Sequence, residues 1–196
     1  MDDKRITKTK KTIKAALIDI LQDMPFEKIT VAEICRRGIV SRITFYTHYE
    51  DKYALAEEMF SDYIVEADAD YHDLQRVNNP GNRAVQGYIN LLDAILQMYY
   101  DNYPFFSRTT AQENPYLNSV FFNKVFISVD DYIRRHTGLV PQLPRRQTAA
   151  FLCNSMFGVI NTCISDNMLE DQVKTFAHEV YRRLLASELF SIVEEA

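Results

Sequence analysis

The sequence predicts an all-α fold, on two observations. Glycine and proline are scarce, with 5 and 6 among 196 residues, and a chain with few turns favours long helices over many short strands. Apolar residues recur at helical spacing in most segments, and no segment alternates convincingly with a period of two, as a half-buried strand would. Hydrophobic residues make up 47% and charged residues 25%, which excludes a disordered or collagen-like chain.

The first predicted helix is amphipathic and ends near Met24. Its apolar stripe follows the spacing i, i+3, i+4, i+7, i+8 and consists of Ile13, Ala16, Leu17, Ile20 and Leu21. Lys4, Lys8 and Lys11 share one side of its first turns. A solvated lysine face explains these three side chains as well as a contact with nucleic acid does.

Two short helices with a glycine between them follow. Thr30 with Glu33 three residues later is a capping box, so a helix spans 30–37 and ends at Gly38. Ser41 is the N-cap of the next helix, 41–48, and Asp51 of the one after it.

The remainder of the chain is also predicted to be helical. One helix runs from Asp51 to about residue 74, and 83–101 is apolar on nearly every side, which indicates a buried helix. Further helices are predicted at 116–135, 145–165 and 170–193, with a short piece at 103–106 and loops at 78–82 and 138–144.

Charge is divided unevenly along the chain. Residues 1–52 carry a net charge of +3 and residues 53–196 a net charge of −8. A basic end on an acidic body suggests that a polyanion would bind at that end alone.

Several protein classes are excluded by what the sequence lacks. The charged start has no apolar stretch behind it, and the most apolar run, 149–164, is too short and too polar to span a bilayer. Three cysteines without CxxC spacing argue against a disulfide framework or a zinc site. We therefore expect a cytoplasmic protein that does not enter a membrane.

Catalytic and cofactor motifs are also missing. The sequence has no nucleophile motif, no glycine-rich phosphate loop and no spaced carboxylate pair. Asp68 and His72 are four apart and could form a metal pair, but a solvated acidic face is favoured over it, since a metal site needs further ligands that the sequence does not place. We expect no enzyme, no cofactor and no metal.

The two short helices have the spacing of a helix-turn-helix, which places its second helix in the DNA major groove. Two short helices joined by a glycine turn also occur in many other all-α proteins. The composition of the second helix favours DNA, because Phe45 and Tyr49 can pack inward together. The side chains left outside suit phosphates and base edges: Arg42, Ile43, Thr44, Tyr46, Thr47 and His48.

Three consecutive segments resemble the DNA-binding domain of the TetR family of bacterial transcriptional regulators. They are Thr30–Ile34 (TVAEI), Val40–Tyr49 (VSRITFYTHY) and Asp51–Leu55 (DKYAL), within a likeness that covers about residues 8–58. The resemblance implies an N-terminal three-helix helix-turn-helix DNA-binding domain, 1–52. A larger helical regulatory domain for ligand binding and dimerisation, 53–196, would follow it.

The resemblance also implies a homodimer on a palindromic operator in double-stranded DNA, and usually a repressor released by a small-molecule effector. Thr30 and Lys52 match phosphate-contacting positions at helix starts, and Tyr46 matches a backbone or thymine-methyl contact. The full predicted DNA-binding set is Thr30, Ser41, Arg42, Ile43, Thr44, Tyr46, Thr47, His48 and Lys52.

The turn departs from the family pattern. The family often has Ala-Gly-Val before the recognition helix, where this chain has Gly38, Ile39 and Val40. Glycine tolerates a left-handed conformation and a β-branched isoleucine does not. This difference predicts a turn shifted by one residue.

Two features of the regulatory domain can be predicted. Small residues in 145–165 and apolar residues in 170–190 favour a four-helix interface between two copies, although both helices could instead be internal core. An aromatic interior could hold an effector, although aromatic residues at helical spacing are more often plain core. The candidate pocket residues are Tyr88, Leu92, Tyr99, Phe121, Val125, Met156 and Val159.

Three functions are compatible with the sequence. The first is a repressor that responds to a small molecule, which an enclosed cavity would favour. The second is a regulator, either a repressor or an activator, whose C-terminal domain binds a protein partner. A filled core with an exposed apolar groove would favour that one. The third is an enzyme that uses the cluster around Asp68 and His72, which at least three metal ligands would support.

Overall fold

A computed structural model of the chain describes residues 2–136, 138–166 and 168–192. The all-α prediction is confirmed. The helices are α1 (Asp2–Leu21), α2 (Val31–Arg37), α3 (Arg42–His48), α4 (Lys52–Asn78), α5 (Ala84–Asp101), α6 (Tyr103–Phe106), α7 (Pro115–Arg135), α8 (Arg145–Ser165) and α9 (Glu170–Leu185), with a short 3-10 helix at Phe26–Lys28.

A small antiparallel sheet departs from the sequence prediction. Strand β1 (Leu139–Pro141) pairs with β2 (Phe190–Ile192), and Val140 lies opposite Ser191. Three-residue strands are too short to show a period of two, so the segment 138–144 was predicted as a loop. The pairing joins residues about fifty positions apart, which no local pattern indicates.

Two helix ends differ from the predicted bounds. Helix α4 runs on to Asn78, where Asn79 accepts a hydrogen bond from the backbone N–H of Arg83 at 2.8 Å. Helix α9 ends at Leu185 rather than at 193, because the chain turns at Ala186 toward β2. Residue 193, the predicted end, lies outside the described residues.

Contacts divide the chain into two compact units that differ from the division at residue 52. Unit 1 is the chain up to Tyr63 together with Asn102–Phe121, and unit 2 is Ile64–Asp101 together with the chain from Phe122. Helices α4 and α7 each contribute residues to both. The functional domains 1–52 and 53–196 stay a prediction, since packing and function need not divide a chain at the same residue.

The core of unit 1 is largely aromatic. The ring of Phe60 lies 5.8 Å from Phe121 and 5.0 Å from Phe105, and Phe106 lies 4.6 Å from Phe121. All four side chains are buried. Helix α6 thus packs against α4 and α7, and Pro104 within it accepts a hydrogen bond at 2.8 Å from Gln22, which directly follows α1.

The core of unit 2 depends on a close approach of α5 to α7. A Cβ atom on Gly87 would lie 2.0 Å from the hydroxyl oxygen of Tyr132, so only glycine fits there. The ring of Tyr132 packs edge-on against Tyr88 at 4.6 Å and Tyr71 at 5.8 Å. Asn90 is fully buried and donates to the Gln75 side chain.

Two further expectations can be compared with the described residues. None of the helices is both long and apolar enough to cross a membrane. Cys35, Cys153 and Cys163 are buried free thiols.

Candidate nucleic-acid interface

Helix α2 begins at the predicted capping box. The backbone N–H of Glu33 donates to the Thr30 hydroxyl at 3.3 Å, and the backbone N–H of Thr30 donates to the Glu33 carboxylate at 2.8 Å. These bonds satisfy donors that a helix start leaves without partners. The other end of α2 is tied to α1, because Arg37 forms ion pairs with Asp19 and Asp23.

The turn between α2 and α3 is not shifted, which corrects the sequence prediction. Gly38 has an ordinary right-handed φ of −80°, and Ile39 takes the left-handed conformation with φ 52°. Gly38 contributes to the packing instead. A Cβ atom there would lie 3.3 Å from the Ala16 Cβ and 3.3 Å from the Ile34 carbonyl oxygen, so glycine lets α1 and α2 approach.

Helix α3 starts at Ser41, whose hydroxyl accepts the backbone N–H of Thr44 at 3.0 Å. Phe45 and Tyr49 are buried, as predicted from their spacing. The remaining candidates of this helix and its cap are exposed or half-buried. The half-buried ones are Thr44 and His48, and the exposed ones are Ser41, Arg42, Ile43, Tyr46 and Thr47. The helix therefore presents one continuous outer face.

Most hydroxyl groups near this face already have local partners. Thr47 donates to the Ile43 carbonyl at 2.8 Å, and the Ser41 and Thr44 hydroxyls are 2.8 Å apart. The Thr30 hydroxyl donates to Glu33 at 2.8 Å. By contrast, Arg42 has no hydrogen bond or ion pair with any residue that the structure describes, so its guanidinium can take an external acceptor.

A half-buried polar cluster lies at the C-terminal end of α3. Tyr49 donates to Glu58 at 2.8 Å, and the same carboxylate receives Lys10 at 2.6 Å and Lys14 at 2.7 Å. Burial alone would raise the pKa of Glu58, but the hydrogen bonds from Lys10, Lys14 and Tyr49 outweigh it and lower the pKa to about 2. The cluster joins α1, α3 and α4 with directed bonds.

The ammonium group of Lys52, a phosphate-contacting position in the family resemblance, is hydrogen-bonded within the chain. Its side chain is only 9% exposed. Its Nζ donates to the carbonyl oxygens of Phe26, Glu27 and Ile29 at 2.7, 2.9 and 2.9 Å. All three N–H donors of the ammonium are therefore in use, and the side chain holds the 3-10 turn against the start of α4.

A second basic surface lies on α1. Lys4, Lys8 and Lys11 are exposed, whereas Lys10 and Lys14 are paired with Glu58 on another side of the helix. The three free lysines could neutralise phosphates beside the groove that α3 would enter.

The predicted effector residues come together only in part. Tyr88, Leu92 and Met156 line one cavity of about 20 Å³ in unit 2, together with Leu91, Ile95, Val129, Leu152, Cys153 and Tyr181. Such a cavity holds about one water molecule. Tyr99 and Val125 are buried elsewhere in unit 2, Val159 is half-buried, and Phe121 belongs to the core of unit 1.

The cavity contains one polar group without a partner among the described residues. The Tyr88 hydroxyl is buried and forms no hydrogen bond there, and burial raises its pKa. Burial also raises the pKa of the neighbouring Cys153 thiol to about 12, so the thiol stays protonated and behaves as an apolar group.

The Asp68 and His72 pair is a solvated surface feature. Their side chains are 67% and 62% exposed and their nearest polar atoms are 3.6 Å apart. Within the described part of the chain, no group of three or more histidine, cysteine or acidic side chains could hold a metal ion.

Comparison of the sequence with known proteins gives a short likeness only. No protein-family model matches the sequence. A segment of 50 residues is 38% identical to an uncharacterized HTH-type transcriptional regulator, YxbF, of Bacillus subtilis (strain 168). That segment covers 26% of this chain and 13% of the Bacillus protein.

Comparison of the fold extends over nearly the whole chain. A putative TetR-family regulator from Syntrophomonas wolfei str. Goettingen superimposes with a TM-score of 0.75 at 11% identity, covering 93% of this chain and 97% of the other. One from Shewanella sp. PV-4 gives 0.70 at 15% identity, covering 93% and 98%. The fatty acid degradation regulator FadR from Bacillus halodurans gives 0.67 at 10% identity, covering 88% and 93%.

Proposed function

We propose that this chain, which has the fold of the TetR-family transcriptional regulators, is a homodimeric DNA-binding regulator. In this proposal α3 of each copy enters the major groove of one half of a palindromic operator. The observation that carries it is the outer face of α3, where Arg42 has no partner within the described chain and Ile43, Tyr46 and Thr47 are exposed beside it.

The expected contacts follow from the geometry of that face. Arg42 can bind the O6 and N7 atoms of a guanine with two donors. Lys4, Lys8 and Lys11 supply charge for phosphates. Because the Lys52 side chain is used internally, we assign it a structural role and leave it out of the contact set. The Thr30 and Ser41 hydroxyls cap their helices, so their phosphate contacts would compete with the caps.

Substitution of Arg42 tests the DNA proposal. Duplexes that the wild-type protein selects from a random library serve as the operator. Arg42→Ala should weaken binding by roughly 1–3 kcal/mol and relax the preference at one base pair. Arg76→Ala, which removes an exposed arginine from unit 2, is the matched control and should bind normally. Equal affinities for both variants would contradict the proposed recognition helix.

Dimerisation is proposed through the outward sides of α8 and α9. On α8 the exposed residues Asn154, Gly158 and Asn161 follow one another at helical spacing, and α9 exposes Phe176. No atom lies within 4 Å of a Cβ built on Gly158. A side chain at this position therefore fits the single chain and would meet only a second copy.

Gly158→Glu should give a folded monomer, because the charge would be buried without a partner in the dimer. Gly81→Glu is the control, since Gly81 is equally open but lies in the loop before α5. Light scattering measures the outcome. A monomeric wild-type protein, or a dimeric Gly158→Glu variant, would refute this interface.

Release from DNA is assigned to an effector that opens the cavity beside Tyr88. The structural neighbour from Bacillus halodurans is named as a regulator of fatty acid degradation, so straight-chain fatty acids are the first probes. The buried Tyr88 hydroxyl would donate to a ligand oxygen. Leu92→Phe should leave DNA binding intact and abolish release, whereas Leu143→Phe, at an exposed position, should not.

The small size of the cavity favours a second candidate, in which unit 2 binds a protein and the regulator could be an activator. In support, unit 2 exposes several large apolar side chains, among them Val77 and Ile127. If fatty acids release the wild-type protein and the Leu92→Phe variant equally, a small molecule acts at a site other than this cavity. If they do not release the wild-type protein, the fatty-acid proposal fails and this second candidate is preferred.

A further inference from the structure

The most exposed apolar side chain of α3 is Ile43, which is 82% exposed. A single exposed isoleucine on a protein surface needs no explanation. This one lies on the same helix face as Tyr46 and Thr47, three and four residues later. It also adjoins Arg42, the side chain that carries the proposed function.

The hydrogen bonds within α3 make this part of the face more apolar than its composition suggests. The hydroxyl of Thr47 donates to the carbonyl of Ile43 at 2.8 Å, and the hydroxyl of Thr44 lies 2.8 Å from that of Ser41. The hydroxyls of Thr44 and Thr47 are therefore engaged within the helix and its cap. The middle of the face therefore offers the aliphatic group of Ile43 and the ring of Tyr46, which is 56% exposed.

The major groove presents one apolar group that complements such a surface. Thymine carries a C5-methyl group where cytosine has only hydrogen, while the other groove-facing atoms are hydrogen-bond donors or acceptors. An isoleucine in the groove finds an apolar partner in this methyl group, whereas the other three bases offer it mainly hydrogen-bond donors and acceptors.

We propose that Ile43 determines sequence specificity by contact with the C5-methyl group of one thymine in each half of the operator. This inference rests on the proposed DNA binding and adds to it a thymine requirement. Arg42 and Ile43 are neighbours in the chain, so the thymine should lie within one or two base pairs of the position that Arg42 reads.

The experiment replaces thymine by deoxyuridine, which removes the methyl group and leaves base pairing unchanged. Duplexes that the wild-type protein selects from a random library are resynthesised with deoxyuridine at one thymine at a time in both halves. Affinities are measured for the wild-type protein, for Ile43→Ala and for the control Val77→Ala, which shortens an equally exposed side chain (81%) in unit 2.

One deoxyuridine position should weaken the wild-type protein and Val77→Ala about fourfold for each methyl group removed. The same change should leave Ile43→Ala unaffected. Because Ile43 is exposed, the variant should remain folded, and its circular dichroism should match that of the wild type.

Two results would overturn the inference. If duplexes are selected but no deoxyuridine position affects the wild-type protein more than Ile43→Ala, Ile43 does not read a methyl group, and the DNA-binding proposal stands. If no duplex is selected, DNA binding itself fails and the inference fails with it.

Discussion

Unit 1 and unit 2 are held together in different ways. In unit 1, charged side chains are fixed by directed bonds. Lys52 binds three carbonyl oxygens and Glu58 binds Lys10, Lys14 and Tyr49. In the interior of unit 2, a glycine lies against the Tyr132 hydroxyl, and the Tyr88 hydroxyl has no partner among the described residues.

This difference suits what each unit is proposed to do. A surface that reads DNA must hold its side chains at fixed positions, which directed bonds to the backbone provide. A domain that answers an effector must change its interior, and a buried hydroxyl that lacks a partner is a group that a ligand could satisfy. The free energy of unfolding should therefore be sensitive to the loss of a polar side chain in unit 1 and to an added methyl group in unit 2.

The largest effect is expected from Lys52→Ala in unit 1. It leaves three backbone carbonyls without their donor and should lower the free energy of unfolding by about 3 kcal/mol. Chemical denaturation measures this loss. Lys28→Ala, at an exposed lysine of the same 3-10 turn, should change it by less than about 0.5 kcal/mol.

The Lys52 variant also decides between a structural role and a phosphate contact. At a temperature where Lys52→Ala is folded, the slope of DNA affinity against salt should equal that of the wild type. A slope reduced by about one unit would instead show a lost phosphate contact. That result would support the phosphate-contacting role of Lys52 that the family resemblance implied.

The matching test in unit 2 adds one methyl group by Gly87→Ala. The new Cβ would lie 2.0 Å from the Tyr132 hydroxyl oxygen, so α5 and α7 must separate, and the free energy of unfolding should fall by roughly 1–3 kcal/mol. In a Tyr132→Phe background the same substitution should lower the free energy of unfolding by less. Thermal denaturation of the wild type, both single variants and the double variant measures this difference. Full additivity would show that the contact is not the cause.

Acid should weaken unit 1 through Glu58. Its pKa is lowered from an ordinary value of 4.5 to about 2 in the folded chain, so the carboxylate stabilises the fold above the unfolded pKa. That stability is lost as the pH falls from about 4.5 toward 2. Glu58→Gln should lower the free energy of unfolding at pH 7 by about 1–2 kcal/mol.

The pH profile separates this effect from general acid denaturation. Denaturation curves of Glu58→Gln should change less between pH 5 and pH 2.5 than those of the wild type. Glu50→Gln, at an exposed glutamate in unit 1, should keep the wild-type profile. Parallel profiles for all three proteins would refute the Glu58 assignment.

The smallest effect is expected at the turn, where Ile39→Gly should stabilise the chain. Ile39 is 93% exposed and holds φ 52°, so it buries little and is strained. Glycine removes the strain at some cost in chain entropy, a net gain of about 0.5–1 kcal/mol. Gly38→Ala should act oppositely, because its Cβ would press on Ala16 and Ile34. Thermal denaturation of both variants tests the pair.

Local features of the chain follow from short-range sequence patterns. These features are the capping box of Thr30 and Glu33, the cap at Ser41 and the inward pair Phe45 and Tyr49. Each depends on residues within about four positions, and the energies that act there are set by side-chain type and backbone geometry alone.

The effects of distant residues on one another depend on tertiary contacts. Lys52 donates to carbonyl oxygens more than twenty positions away. Ile39 takes the left-handed conformation, and a Cβ atom on the preceding Gly38 would lie 3.3 Å from Ala16 in α1. Phe121 falls in the core of unit 1 rather than in a pocket of unit 2. A cavity is the space that packed side chains leave between them, so its volume depends on every helix around it and appears in no single segment of sequence.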